Sequence, residues 1–384
     1  MSSESDAAAV DPRFGVVDMH THPTLKTMMF HSKFWRAHNP PAYWFPLSLR
    51  CDLDAMIEGG VKAFLCTCYV VERPMVKDVL PLRVLSKLHP RARHIGMAPM
   101  DQLCREYLDG AEEMVETTRV KRGEVIEIAR CYSDIQRIAD EGKLCMLHAV
   151  EGAHHLNGNI DMVDELYERG VCQMIVPHLY PNEAGGCVDV FSEVKGGGTH
   201  MSLFHAKYQD ASGMTEWGRE LIEKLLDVGI LVDPTHGTRE FCRQTFEIAR
   251  KHPKKRPVIM SHVCVPEKSL SGLDPTPEDI RAVAETGGII GLMMTDMWPH
   301  HKHSDNGVGL VLDSIDRVID QGGEDVVAIG SDFDGFTSVP KDLKSPRGYR
   351  TLREAMLKKY TEDQVQKFLR GNAERVLKDG WGKA

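Results

Sequence analysis

Short apolar runs recur along the chain, each preceded by an amphipathic stretch and a glycine. Gly59-Gly60 precede VKAFLCTC, Gly142 precedes KLCMLHA, and Gly170 precedes VCQMIVPH. Gly229 then precedes ILVDPTH, Gly287-Gly288 precede IIGLMMT, and Gly322-Gly323 stand shortly before VVAIGSD. A glycine suits the left-handed residue that ends a helix, and a near-continuous apolar run is the pattern of a parallel strand buried on both faces. Helix starts are legible too. Thr276 before Pro277, Glu278 and Asp279 reads as a cap with proline in the first turn, and Thr215 can cap a helix whose apolar stripe is Trp217, Leu221, Leu225 and Val228. With FGVVDM at the start and PVIMSH before His262, the count reaches eight strands alternating with helices, which predicts a TIM-like (β/α)8 barrel. Residues 1–12 are expected as a flexible arm, 13–340 as the barrel, and 341–384 as helices packed on it. A doubly wound open sheet is the alternative, but no GxGxxG follows the first strand.

Composition narrows the class of partner. Apolar residues make up 42% and charged residues 27% of 384, and 47 Lys+Arg against 56 Asp+Glu leave a net charge of −9. That is the profile of a globular protein with a mildly acidic surface and no long basic run, which argues against nucleic acid or an anionic membrane as main partner. A small molecule is the expected ligand. The opening residues lack a signal-peptide core, and ten cysteines without a CxxC pair, several in apolar runs (Cys66, Cys68, Cys145), read as reduced core residues. The expectation is a cytoplasmic protein, and a homodimer.

Active sites of such barrels lie at the C-terminal ends of the strands. Here the first strand ends in His20-Thr21-His22, the third runs into Glu151, and the fourth to sixth end at His178, His236 and His262. The eighth ends at Asp332. Residues two apart on a strand point the same way, so His20 and His22 can share a cation, and imidazole and carboxylate are zinc donors. A lone histidine at a strand end is usually a hydrogen-bonded core residue; convergence of six strand ends outweighs that reading.

The ordered set resembles the metal-dependent amidohydrolase superfamily, and VVDMHTH, HAVEGAHH, MIVPHLYP, VIMSH and IGSDFDG resemble its membrane (renal) dipeptidase family. The resemblance implies two zinc ions per chain, one held by His20 and His22, the other by His236 and His262, with Glu151 bridging. It implies Asp332 as the base, His178 as the group that polarises the scissile carbonyl, and hydrolysis of an amide or peptide-type bond by a metal-bridging hydroxide. Two departures stand out. The family usually has aspartate where this chain has His22, which leaves the centre one charge more positive. It also places an arginine, which grips the substrate carboxylate, where alignment on Pro277 puts Asp274; unless Lys268, Arg239 or Arg347 reaches in, that grip is missing.

Other features carry weaker chemistry. Met28, Met29, Phe30, Phe34, Trp35, Tyr43, Trp44 and Phe45 form either an aromatic lid or a loop packed on the rim or across a dimer interface. His300, His301 and His303 read as a solvated loop or a substrate contact. His148, His154 and His155 read as structural, and Gly196 to Gly198 as a loop, since no phosphate-cradle motif follows. Competing functions are lactone or ester hydrolysis, a mononuclear-zinc decarboxylase, for which a bridging Glu151 has no purpose, and a non-catalytic binding protein, which should have lost a ligand or the base.

Overall fold

The computed structural model describes residues 15–42, 48–78, 80–189, 212–267, 271–296, 306–335 and 337–382. The expected arm at 1–12, Tyr43 to Phe45, the glycine run 196–198, Lys268, and His300, His301 and His303 lie outside the described residues. Nine parallel strands form one sheet: β1 Val16–Thr21, β2 Val61–Tyr69, β3 Ile126–Ile128, β4 Leu144–Glu151, β5 Val171–Ile175, β6 Leu231–Asp233, β7 Met260–Val263, β8 Ile290–Leu292 and β9 Val327–Ile329. Eight of them run in the order β6-β5-β4-β2-β1-β9-β8-β7. A bridge between Val232 and Val258, with Ile259 N donating to Val232 O at 3.1 Å, joins β6 to the β7 side and nearly closes the ring. This is the anticipated TIM-like barrel.

The ninth strand, β3, lies off that path. It pairs with the first half of β4 (Ile126 opposite Leu144), while β5 takes the second half (Glu151 opposite Ile175). Helices with the expected caps cover the outside. Thr215 Oγ1 accepts from Gly218 N, and Thr276 and Asp279 make a reciprocal capping box. Three short helices, Arg73–Asp78, Leu80–Leu88 and Pro90–Met97, follow β2 before the long helix Met100–Arg122.

Inside the ring, Val17, Met19, Leu65, Leu147, Cys172, Ile259 and Ala328 form a buried cluster that continues into Ala373, Val376, Leu377 and Trp381. The helix Asn372–Gly380 therefore closes the floor of the barrel. Asn372 Nδ2 donates to Glu324 O (2.7 Å) and Val327 O (2.8 Å), at the N-terminal end of β9, and Arg256 donates to Gly380 O (3.1 Å) and Gly382 O (2.6 Å). Cys66, Cys68 and Cys145 are buried, and none of the ten cysteines forms a disulfide. Among the described residues no helix is long and apolar enough to cross a membrane. With the floor sealed, the strand C-termini are the end open to chemistry.

Candidate metal centre

The predicted strand-end residues converge on the Glu151 carboxylate. Its Oε1 lies 3.6 Å from His20 Nε2, 3.5 Å from His178 Nε2, and 3.8 Å from both His236 Nε2 and His262 Nε2. Its Oε2 lies 3.5 Å from His22 Nε2. The imidazoles form two pairs: His20 and His22 Nε2 are 2.8 Å apart, and His236 and His262 Nε2 are 3.0 Å apart. Asp332 Oδ1 stands 3.3 Å from His22 Nε2 and 3.8 Å from His20 Nε2. Three overlapping groups have ligand-capable spacing: His20, His22 and Asp332; His20, Glu151 and His262; and Glu151, His178 and His236.

Local backbone makes this convergence possible. Strand alternation alone would not aim both His20 and His22 inward, because β1 ends at Thr21 and His22 is already the residue before the helix Pro23–Phe30. Between Asp18 and Thr21, β1 carries one residue more than β2 opposite it, a bulge of the kind that re-aims side chains beside active sites. His236 and Asp332 take left-handed backbone angles, φ 71° and 57°. Gly335 follows from the same packing: a Cβ there would sit 1.8 Å from Asp332 Oδ1 and 2.8 Å from His22 Cδ2.

Electrostatics fit a divalent cation. Burial holds His20, His236 and His262 well below the ordinary imidazole range, each reinforced by neighbouring histidines, so they present neutral lone pairs. Burial, then the charges of Asp332, Glu72 and Asp233, push Glu151 well above the carboxylate range, and burial also raises Asp332 although His22 opposes it. Neutral imidazoles around buried carboxylates are the kind of donor set that a divalent cation such as zinc takes.

Several supporting residues carried no sequence signal. Ser261 Oγ lies 3.3 Å from His20 Nδ1 and 3.1 Å from His262 Nδ1, linking one imidazole of each pair. Asp233 accepts from Thr235 N, Ser261 N and Gln173 Nε2, at 2.9, 3.1 and 2.6 Å, and so fixes the approach to His236 and His262. Asp18 accepts from Ser331 Oγ (2.7 Å) and Tyr349 OH (2.5 Å), tying β1 to the turn that carries Asp332. Glu72 accepts from His178 Nδ1 at 2.8 Å.

The remaining expectations separate by position. His148 is fully buried, on the opposite face of β4 from Leu147 and Ala149, with Nε2 3.6 Å from Glu112. His154 and His155 hold the backbone of Val70, as structural residues do. Phe34 is buried against Phe64 (6.2 Å, stacked) and Met28 lies against Gly110, so the described part of the aromatic segment is packed on the rim. Arg347 pairs with Glu58 (2.8 Å) and Asp52 (3.6 Å), at the two ends of the helix Leu53–Gly59. Asp274 is buried; its Oδ2 accepts from Ser271 N (3.1 Å), and Arg239 reaches its carbonyl (3.4 Å) and the Asp279 carboxylate (3.3 Å).

Fold and donor set together define a barrel with a carboxylate-centred cluster of potential metal ligands at its mouth. The chain belongs to the membrane dipeptidase family, peptidase family M19, whose profile matches residues 4–380. Dipeptidase 3 of Rattus norvegicus is 26% identical over 237 residues, 62% of this chain and 45% of that protein. Dipeptidase 3 of Homo sapiens is 25% identical over 254 residues, 64% of this chain and 48% of that protein. The chain spans about half the length of these curated relatives. Among solved structures, a metallo peptidase from Rhodobacter sphaeroides liganded with a phosphinate mimic of the dipeptide L-Ala-D-Ala shares the fold at TM-score 0.73 and 20% identity, covering 96% of this chain and 99% of that one. An amidohydrolase from Pseudomonas aeruginosa does so at TM-score 0.68 and 18% identity, covering 96% and 97%.

Proposed function

We propose that the protein is a binuclear zinc hydrolase that cleaves an amide or peptide-type bond in a small, dipeptide-like substrate. The observation that carries this reading is the Glu151 carboxylate, which stands between the two histidine pairs, with Oε2 near His22 and Oε1 near His20, His236 and His262. His20 and His22 would hold one ion, His236 and His262 the second, and Glu151 both. Bound zinc would supply an acidified water and a Lewis-acidic site for the carbonyl. Asp332, a buried carboxylate beside the first histidine pair, takes the proton of the attacking water and passes it to the leaving amine. His178 faces the same centre through Nε2 and steadies the charge that develops on the carbonyl oxygen. The phosphinate dipeptide mimic bound by the Rhodobacter relative supports a peptide-type substrate.

Elemental analysis of protein purified without chelator, paired with turnover of dipeptides, N-acyl amino acids, amides and lactones, tests this reading. About two zinc ions per chain are expected, and Glu151→Ala should lose most of them. A ratio that stays at one in metal-replete buffer would sink the binuclear reading and favour the decarboxylase alternative.

A further inference from the structure

Glu72 is a buried carboxylate beside the candidate centre for which the mechanism above has no use. It lies three residues beyond Tyr69, the last residue of β2, and is 3% exposed. Its two oxygens are fully engaged. Oε1 accepts from His178 Nδ1 at 2.8 Å and from Leu179 N at 3.2 Å, and Oε2 accepts from Tyr69 OH at 2.5 Å. The segment between Tyr69 and Glu72 is held as well: Val70 N donates to His155 Nε2 at 3.2 Å, and His154 Nε2 lies 2.8 Å from Val70 O. On its other side the His178 ring meets Tyr69 and His236, both edge to face with centroids 4.6 Å away.

Burial would raise Glu72, but the His178 imidazole, its hydrogen bond, His154 and the Tyr69 hydroxyl hold it down at about 2. Both Glu72 oxygens already accept, Oε1 from Leu179 N and Oε2 from Tyr69 OH, so the hydrogen between Oε1 and the ring nitrogen 2.8 Å away belongs to Nδ1. That leaves Nε2, 3.5 Å from Glu151, as the nitrogen turned toward the centre.

We propose that Glu72, held by Tyr69, is a positioning residue of the reaction: it fixes the His178 ring with Nδ1–H turned away and Nε2 presented to the scissile carbonyl. The carboxylate at Nδ1 keeps the ring from turning, so that Nε2 is the nitrogen that meets the carbonyl oxygen. The inference rests on the reading of His178 given above and adds the residue that aims it.

The test uses the zinc-loaded protein. Glu72→Gln keeps an acceptor and loses the charge, Glu72→Leu loses both, and Tyr69→Phe removes the second hold on Glu72. Second-sphere partners typically contribute about 10–100-fold. Glu72→Gln should therefore lower kcat about tenfold with KM changed less than about twofold, and Glu72→Leu should approach the upper figure. Zinc content and thermal melting on the same samples identify any variant that merely misfolds; Glu72→Gln and Tyr69→Phe are the mild substitutions that keep the test open. In a His178→Ala background, Glu72→Gln should change kcat by less than about twofold, because the two residues act as one unit. Long-range 1H–15N spectra of 15N-histidine protein, with His178 assigned by difference, should show Nδ1 protonated in the parent and a mixed or reversed tautomer in Glu72→Leu. An unaltered tautomer, or an undiminished effect of Glu72→Gln without His178, would overturn the positioning role while leaving the catalytic reading intact. A His178→Ala enzyme with full kcat would overturn that reading and this inference with it.

Discussion

At Asp332 and His236 the backbone takes left-handed angles that cost a non-glycine residue about 1–3 kcal/mol. The fold bears that cost where the direction of one side chain matters more than local comfort. Asp332 is 5% exposed and lies 3.3 Å from His22, with the buried Lys26 near enough to act on it electrostatically. Asp332→Asn keeps the shape and tolerates the same backbone. It should retain zinc and fold while turnover drops about 10²–10⁴-fold, the usual contribution of a general base. Turnover near normal in that variant would place the base elsewhere. The residues that converge on Glu151 were legible because histidine and carboxylate are rare at the ends of apolar strands, and six strand ends carried them in order. Glu72, Ser261 and Asp233 were not, because a glutamate in a loop, a serine beside a histidine and an aspartate inside a strand carry no chemistry until the chain brings their partners to within about 3 Å.

Elements whose hydrophobic run was continuous were read correctly, and those whose run was short or mixed were not. Of the eight path strands, six follow a glycine that ends the preceding helix or stands just before the strand, β1 begins the chain's apolar pattern, and β7 follows Pro257. β3 is three residues long with Glu127 at its middle, and nothing in so short an alternation separates it from a loop. The bulge in β1 was equally hidden: an extra residue is a property of the pairing with β2, and neither strand records it alone. The C-terminal helices, expected only to pack on the barrel, are tied into the site's support, since Tyr349 begins the helix Tyr349–Leu357 and its hydroxyl reaches Asp18 on β1. Removing that hydroxyl leaves Asp18 with Ser331 and costs one hydrogen bond to a buried acceptor. Tyr349→Phe should therefore lose about 1–3 kcal/mol of stability, read as a lower denaturant midpoint, while zinc content holds. An unchanged midpoint would show that the C-terminal helices are anchored without this contact.

Across the whole molecule, the helix Asn372–Gly380 seals the floor, so the candidate centre opens toward the mouth, where the loops after the strands surround it. The net charge of −9 supplies no general attraction for an anion, so recognition of a free carboxylate needs a local cation. At the place where the family resemblance implies an arginine stands Asp274, buried in a turn with Ser271. Of the basic residues weighed as substitutes, Lys268 lies outside the described residues, Arg347 is held by Glu58 and Asp52, and Arg239 already serves the Asp274 carbonyl and Asp279. A hydrogen bond to a charged group contributes about 1.5–3 kcal/mol, and at about 1.4 kcal/mol per tenfold its loss alone is worth roughly ten- to a hundredfold in binding. A dipeptide amide should therefore be turned over better than the matching free acid at equal concentration, and the gap should appear mainly in KM. The measurement is kcat and KM on matched pairs. If the free acid is favoured tenfold or more, a cation grips its carboxylate after all, and Arg239→Gln then tests whether Arg239 leaves Asp279 to do so.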